Sequence, residues 1–152
     1  MTEPPWPFVG SEALSTGAIS ERTMRRRYTP LYPNVYIPRD ITVTAQQRAR
    51  AAWLWSKRRG VVAGLSAAAA VLGSKWVDAG LPAELIHDNR KSPTGLVVRT
   101  ERVLPGELVD IDGLRVTTPV RTAFTWSLEC SRCNASTRCP TPPGSDTSMS
   151  RR

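Results

Sequence analysis

The rhythm of apolar and polar positions changes along this chain of 152 residues: helical spacing at first, alternation from Ala83 to Thr118, and no rhythm after Phe124. Residues 1–10, MTEPPWPFVG, read as a loose lead. SEALSTGAIS, residues 11–20, predicts a short helix in which Ser11 caps, Glu12 suits the positive end and Gly17 stops the run. Ser20 caps a second helix, SERTMRRR, with Glu21 at its start and three arginines in its last turn. Pro30 keeps that helix short. In YTPLYPNVYIPRD, Leu31, Val35 and Ile37 alternate with other residues and Pro33-Asn34 makes a turn, which predicts a small hairpin or a bent strand. Two short helices and a hairpin within about 30 residues follow the order of a minimal winged helix.

TVTAQQRARAAWLWSKRRG, from Thr42, predicts the clearest helix. Thr44 and Gln47 form a capping box, Gly60 marks the end, and Ala45, Ala49, Ala52, Trp53 and Ser56 share one face. After a short apolar link, Ser66 caps a small helix that reaches Leu72 and ends at Gly73. From Ala83 the period is two, and AELIHD, GLVVRTE, ELVDID and LRVTT predict four strands. Asp112-Gly113 signals a tight hairpin, and Pro119 suits the first turn of a helix, VRTAF. The predicted class is α+β: a winged helix-turn-helix region at 8–40, helices with a short antiparallel β region at 41–124, and a disordered tail at 125–152.

Charge sharpens this division. The formal net charge is +8 with a sequence pI near 10.3. Residues 20–60 hold ten Lys/Arg against Glu21 and Asp40, whereas residues 61–124 hold seven of each sign. The excess belongs to one segment, and a concentrated basic block points to a phosphate-bearing partner. The opening residues lack an apolar stretch, so no secretory signal is expected. The longest uncharged run, residues 60–74, is shorter than the ~20 residues of a membrane span, so the expectation is a soluble cytoplasmic protein without a membrane partner. The chain up to Phe124 has no cysteine, which excludes disulfides there.

Arg22, Arg25, Arg26 and Arg27 crowd the second short helix, where guanidinium forks suit phosphates and guanine edges. A solvated helix end is the alternative. Tyr32, Asn34 and Tyr36 of the hairpin and Arg48 of the next helix are further candidates for contacts to a DNA backbone, with packing as the alternative for the tyrosines. Arg50, Lys57, Arg58 and Arg59 either extend that footprint or form a solvated face, and Trp53, Trp55 and Trp76 read as core. His87 beside Asp88 has no nucleophile or metal set around it and reads as structural; Asp112 is explained by its turn. No catalytic constellation is found, and no cofactor is expected. Cys130, Cys133 and Cys139 give C-x2-C-x5-C, half of a zinc site with no second half, so no metal is expected.

ISERTMRRRYTPLYPNVYIP resembles the N-terminal winged helix of the AbiEi-type antitoxins of type IV toxin–antitoxin systems. AQQRARAAWLW, VVAGLSAAAAVLG and GLRVTTPVRTAF are similar to actinobacterial proteins in which such a region precedes a domain related to the very-short-patch-repair endonucleases. The resemblance covers about residues 8–124. It implies DNA binding by the winged helix through Arg22, Arg25, Arg26 and Arg27, a wing from Tyr32 to Ile37, autoregulation of an operon, and a cognate toxin as a possible partner. The nuclease-like domain is not in this sequence, so no enzymatic activity is carried over and a truncated regulator is expected. A protein-interaction module, or the remnant of a larger endonuclease-like protein, is the alternative. From Thr125 on, six Ser, four Thr, four Arg, three Pro and three Cys in 28 residues suggest disorder, and the composition resembles a GC-rich coding region read out of frame.

Overall fold

In the computed structural model, which describes residues 4–64, 66, 80–89 and 91–132, the end of the expected loose lead, from Phe8, belongs to regular elements. Phe8–Val9 form strand β1, antiparallel to Val35–Pro38, β3, in the register Phe8↔Tyr36 and Val9↔Val35. Between them lie α1 (Gly10–Ser15), α2 (Glu21–Arg27) and β2 (Tyr28–Tyr32). Ser20 caps α2 as predicted, its hydroxyl oxygen accepting from the Thr23 N–H at 3.3 Å. Ser11 does not cap α1; Val9 holds that position with no side-chain bond. β2 and β3 form the predicted hairpin around Pro33-Asn34, with Asn34 at φ 64°, a left-handed conformation that Asn tolerates. The resulting three-stranded sheet has the order β1-β3-β2.

Helix α3 (Ala45–Trp55) carries the predicted capping box: Gln47 N–H donates to Thr44 Oγ1 at 3.2 Å and Thr44 N–H donates to Gln47 Oε1 at 2.9 Å. It stops at Trp55, short of Gly60. Ser56 Oγ donates to the Trp53 carbonyl at 2.6 Å and accepts from Gly60 N–H at 2.9 Å, so a side chain closes the helix end.

The second sheet contains β4 (Val61–Val62), β5 (Ala83–Ile86), β6 (Leu96–Arg99), β7 (Leu108–Ile111) and β8 (Leu114–Thr117), in the order β6-β5-β4-β8-β7. All four predicted strands are present. The sheet is nevertheless mixed rather than antiparallel, because β5 runs parallel to β6 and β4 parallel to β8. The central strand is the short apolar link, β4, whose neighbours Leu85 and Val116 are distant in sequence. A local period cannot reveal such a strand. At the β7–β8 turn, Asp112 and Gly113 take φ of 52° and 78°, the signature of the predicted tight hairpin.

The main core lies where α3 meets both sheets. Ala49, Ala51, Ala52 and Leu54 pack with Tyr32 and Val35 of the first sheet and with Val62, Leu85, Leu96, Leu114 and Val116 of the second. One apolar cluster therefore spans both sides of residues 40–41. A smaller cluster of Phe8, Ala13, Ile19 and Tyr28, joined by Trp6, Met24 and Tyr36, lies under α1 and α2.

Helix α4 (Pro119–Arg132) opens at the predicted proline. It does not end at Phe124: the expected disorder from residue 125 is corrected for residues 125–132, which are helical. Thr125 Oγ1 donates to the Arg121 carbonyl and Ser127 Oγ to the Ala123 carbonyl, so their hydroxyls are satisfied within the helix. Cys130 lies on this helix; Cys133, Cys139 and the rest of the tail lie outside the described residues. Also outside them lies the helix predicted after Ser66, together with Trp76; Ser66 itself accepts from Glu84 N–H at 2.9 Å. No helix among the described residues is long and apolar enough to cross a membrane.

Candidate nucleic-acid interface

The seven residues of α2 contain none that is buried. Met24 reaches into the smaller core cluster and anchors the helix, while Arg22, Arg25 and Arg26 fall within an arc of about 100° on the opposite side. Arg22, Arg26 and Arg27 line a hollow of about 520 Å³ with Ile19 and Tyr28. Arg25 pairs with Glu21 one turn earlier at 3.8 Å, but both side chains are more than two-thirds exposed (79% and 70%), so the pairing is worth little. Arginines in the last turn also complement the negative end of the helix. The arrangement presents planar, permanently charged, multi-donor groups on a rod about 10 Å long, which fits an anionic groove.

Arg39 was not singled out by sequence reasoning and belongs to this surface. Its backbone N–H donates to the Arg27 carbonyl and its guanidinium to the Arg25 carbonyl, each at 2.9 Å. It thereby closes the C-terminus of α2 and fastens it to the end of β3. The only signal in the sequence was its place within the basic block.

The hairpin candidates are otherwise engaged. Tyr32 is 2% exposed, and its hydroxyl donates to the Gly95 carbonyl at 3.1 Å. Burial pushes its hydroxyl above the ordinary tyrosine pKa, with the neighbouring Arg48 guanidinium acting in the opposite direction. Tyr32 is therefore a core residue and not a surface contact. Arg48 is half-buried beside it rather than displayed. Asn34 is exposed but fixes the start of α1: its Oδ1 accepts from Ser11 N–H at 3.0 Å, its Nδ2 donates to Ser11 Oγ at 2.9 Å, and its carbonyl accepts from Gly10 N–H at 2.8 Å. Tyr36 stacks on Phe8 at 6.2 Å and covers Gly10 so closely that a Cβ there would come within 2.5 Å of the ring. The structure thus groups the four α2 arginines and separates them from Tyr32 and Arg48.

The remaining sequence candidates have local roles. His87 Nδ1 accepts from Asn89 N–H at 2.9 Å and its ring meets Trp55 edge-on at 6.3 Å. Asp110 Oδ1 accepts from Gly113 N–H at 3.0 Å within the β7–β8 turn. Among the described residues, no group of three or more His, Cys, Asp or Glu is placed to hold a metal.

Compared with known protein families, with curated proteins and with solved structures, the chain has no match.

Proposed function

We propose that residues 8–40 act as a winged helix that binds DNA, and that the protein is an antitoxin-like transcriptional regulator rather than an enzyme. The observation that carries this reading is the placement of α2: it sits directly before a hairpin in a β1-β3-β2 sheet and turns three arginines outward. In a winged helix, that position belongs to the helix that enters the major groove, about 12 Å wide. Arg22, Arg25, Arg26 and Arg27 supply the phosphate and base-edge contacts. The hairpin turn, held against α1 by Asn34, serves as a short wing that braces the helix. The target is DNA upstream of the protein's own gene, in the cytoplasm, with a cognate toxin as a further partner. The test is a binding comparison between a duplex from that region and an unrelated duplex of equal length. Preference for the upstream duplex is expected; the absence of binding to either would remove the reading.

A second reading, a protein-interaction module, is favoured by one observation. Val120 and Phe124, one turn apart on α4, are 81% and 54% exposed. Co-purification with an adjacently encoded protein, free of nucleic acid, supports this reading over the first.

A further inference from the structure

The turn after α3 is held in a conformation that its residues disfavour. Lys57 and Arg58 take φ of 58° and 62° in succession, and neither is a Gly or Asn that would relieve the steric cost. Local bonds fix them: Lys57 N–H donates to the Leu54 carbonyl at 3.0 Å and Arg58 N–H to the Trp53 carbonyl at 3.1 Å. A further tie is long-range. Arg58 Nη1 and Nη2 donate to the two carboxylate oxygens of Glu12 on α1, both at 2.7 Å. The hydrogen bonds from Arg58 hold the Glu12 carboxyl below its ordinary pKa.

The electrostatic consequence concerns the residues on either side. Arg58 and Glu12 cancel each other. Lys57 and Arg59 are exposed and have no ion pair among the described residues. They border an open polar cleft of about 670 Å³ together with Ser11, Asn34, His87 and Asn89. Glu12, the one carboxylate lining this cleft, is already neutralised by Arg58. Two cations with no ion pair among the described residues thus stand at a cleft whose one carboxylate is already paired, on a turn with two residues at positive φ.

We propose that Lys57 and Arg59 form a second contact for the DNA phosphate backbone, at the cleft they share with Pro33 and Asn34 of the hairpin turn. This inference rests on the DNA-binding reading above. The cleft takes in the turn of the hairpin read above as the wing, so a duplex braced by the wing passes beside these two cations. A helix seated in the groove and a cation pair beside the wing contact different phosphates of the same duplex. Backbone contacts add affinity and fix register without reading bases.

The test uses the full chain carrying Lys57→Gly and Arg59→Gln. Glycine removes the charge and suits the left-handed φ, and glutamine keeps a long polar side chain. Affinity is measured against a duplex from upstream of the protein's own gene and an unrelated duplex of equal length, over a range of salt. The variant is expected to melt no lower than the wild type and to weaken on both duplexes by a similar factor. The slope of log affinity against log salt should be shallower by about 1.8, two contacts at about 0.9 each. If the double variant melts lower, Arg59→Gln alone decides, with a slope change of about 0.9. Wild-type affinity and slope in a folded variant overturn the inference. If Arg25→Ala with Arg26→Ala weakens binding while the Lys57/Arg59 variant does not, the DNA-binding reading stands and this second contact falls. A wild type that binds neither duplex removes both.

Discussion

Arginine occupies two opposite situations in this molecule. At the sheet side, Arg99 and Arg121 are 24% and 19% exposed and lie among three carboxylates: Arg99 reaches Glu84 at 3.2 Å and Glu101 at 3.9 Å, and Arg121 reaches Glu101 at 3.0 Å and Glu107 at 3.4 Å. On α2, four arginines stand in solvent, and Glu21 alone, at 3.8 Å from Arg25, pairs with any of them among the described residues. Burial makes the difference. A guanidinium taken partly out of water needs opposite charge around it, and the 61–124 segment supplies equal numbers of both signs. A guanidinium left in water needs no partner and stays available for one. The net charge of the chain therefore understates the contrast: one arginine set fastens α4 to the sheet, and the other is free to meet a ligand.

Breaking the sheet-side set should have the largest effect. Arg121→Ala leaves Glu101 and Glu107 half-buried without their shared partner, and a loss of about 2–3 kcal/mol in unfolding free energy is expected, measurable by denaturant titration. DNA affinity of the remaining folded protein should not change. The α2 set should respond the other way. Arg25→Ala with Arg26→Ala is expected to weaken DNA binding roughly tenfold to a hundredfold while changing stability by less than about 0.5 kcal/mol. A large stability loss there would place α2 in the same class as the sheet-side arginines.

Tyr32 tests where the surface ends. Tyr32→Phe removes the bond to the Gly95 carbonyl and should cost about 1 kcal/mol, with DNA affinity unchanged. Because burial raises the folded pKa, ionisation is favoured in the unfolded chain. Stability is fully present below the unfolded tyrosine pKa of about 10 and declines as pH rises from there through the raised folded value. Alkaline melts of wild type and Tyr32→Phe should show this component in the wild type alone. The smallest effect belongs to Glu12→Gln, which breaks a pair whose side chains are about half exposed and should cost less than about 1 kcal/mol. Arg58 lowers the Glu12 pKa, so the contribution is present above the ordinary carboxylate value and lost as pH falls through the depressed one. The stability difference between Glu12→Gln and wild type should vanish in acid and shrink in high salt.

Much of this was legible because it is local. The Ser20 cap, the Thr44/Gln47 box, the Pro33-Asn34 and Asp112-Gly113 turns and the four alternating strands each depend on residues within a few positions of one another. What was missed depends on distant partners. Phe8–Val9 is too short to show a period and becomes a strand only against β3. Val61–Val62 reads as a link until Leu85 and Val116 flank it. Tyr32 looks like a wing residue, yet its hydroxyl is satisfied by Gly95, 63 positions away. Within the candidate site, the arginines of α2 were visible from composition and capping. The engagement of Asn34 with Ser11, the placement of Arg48 beside Tyr32 and the closure of α2 by Arg39 were not, because each joins two elements. The run of α4 past Phe124 was hidden by weak helix formers whose hydroxyls bond back to the helix carbonyls.

The most direct measurement is the salt dependence of DNA binding by the full chain, compared with Arg25→Ala/Arg26→Ala. Log affinity should fall linearly with log salt, with a slope of about −3.6 or steeper if all four α2 arginines meet phosphates, and shallower by about 1.8 in the variant. Binding that ignores salt, or slopes that are equal in the two proteins, would contradict the assignment of α2 as the DNA-contacting element.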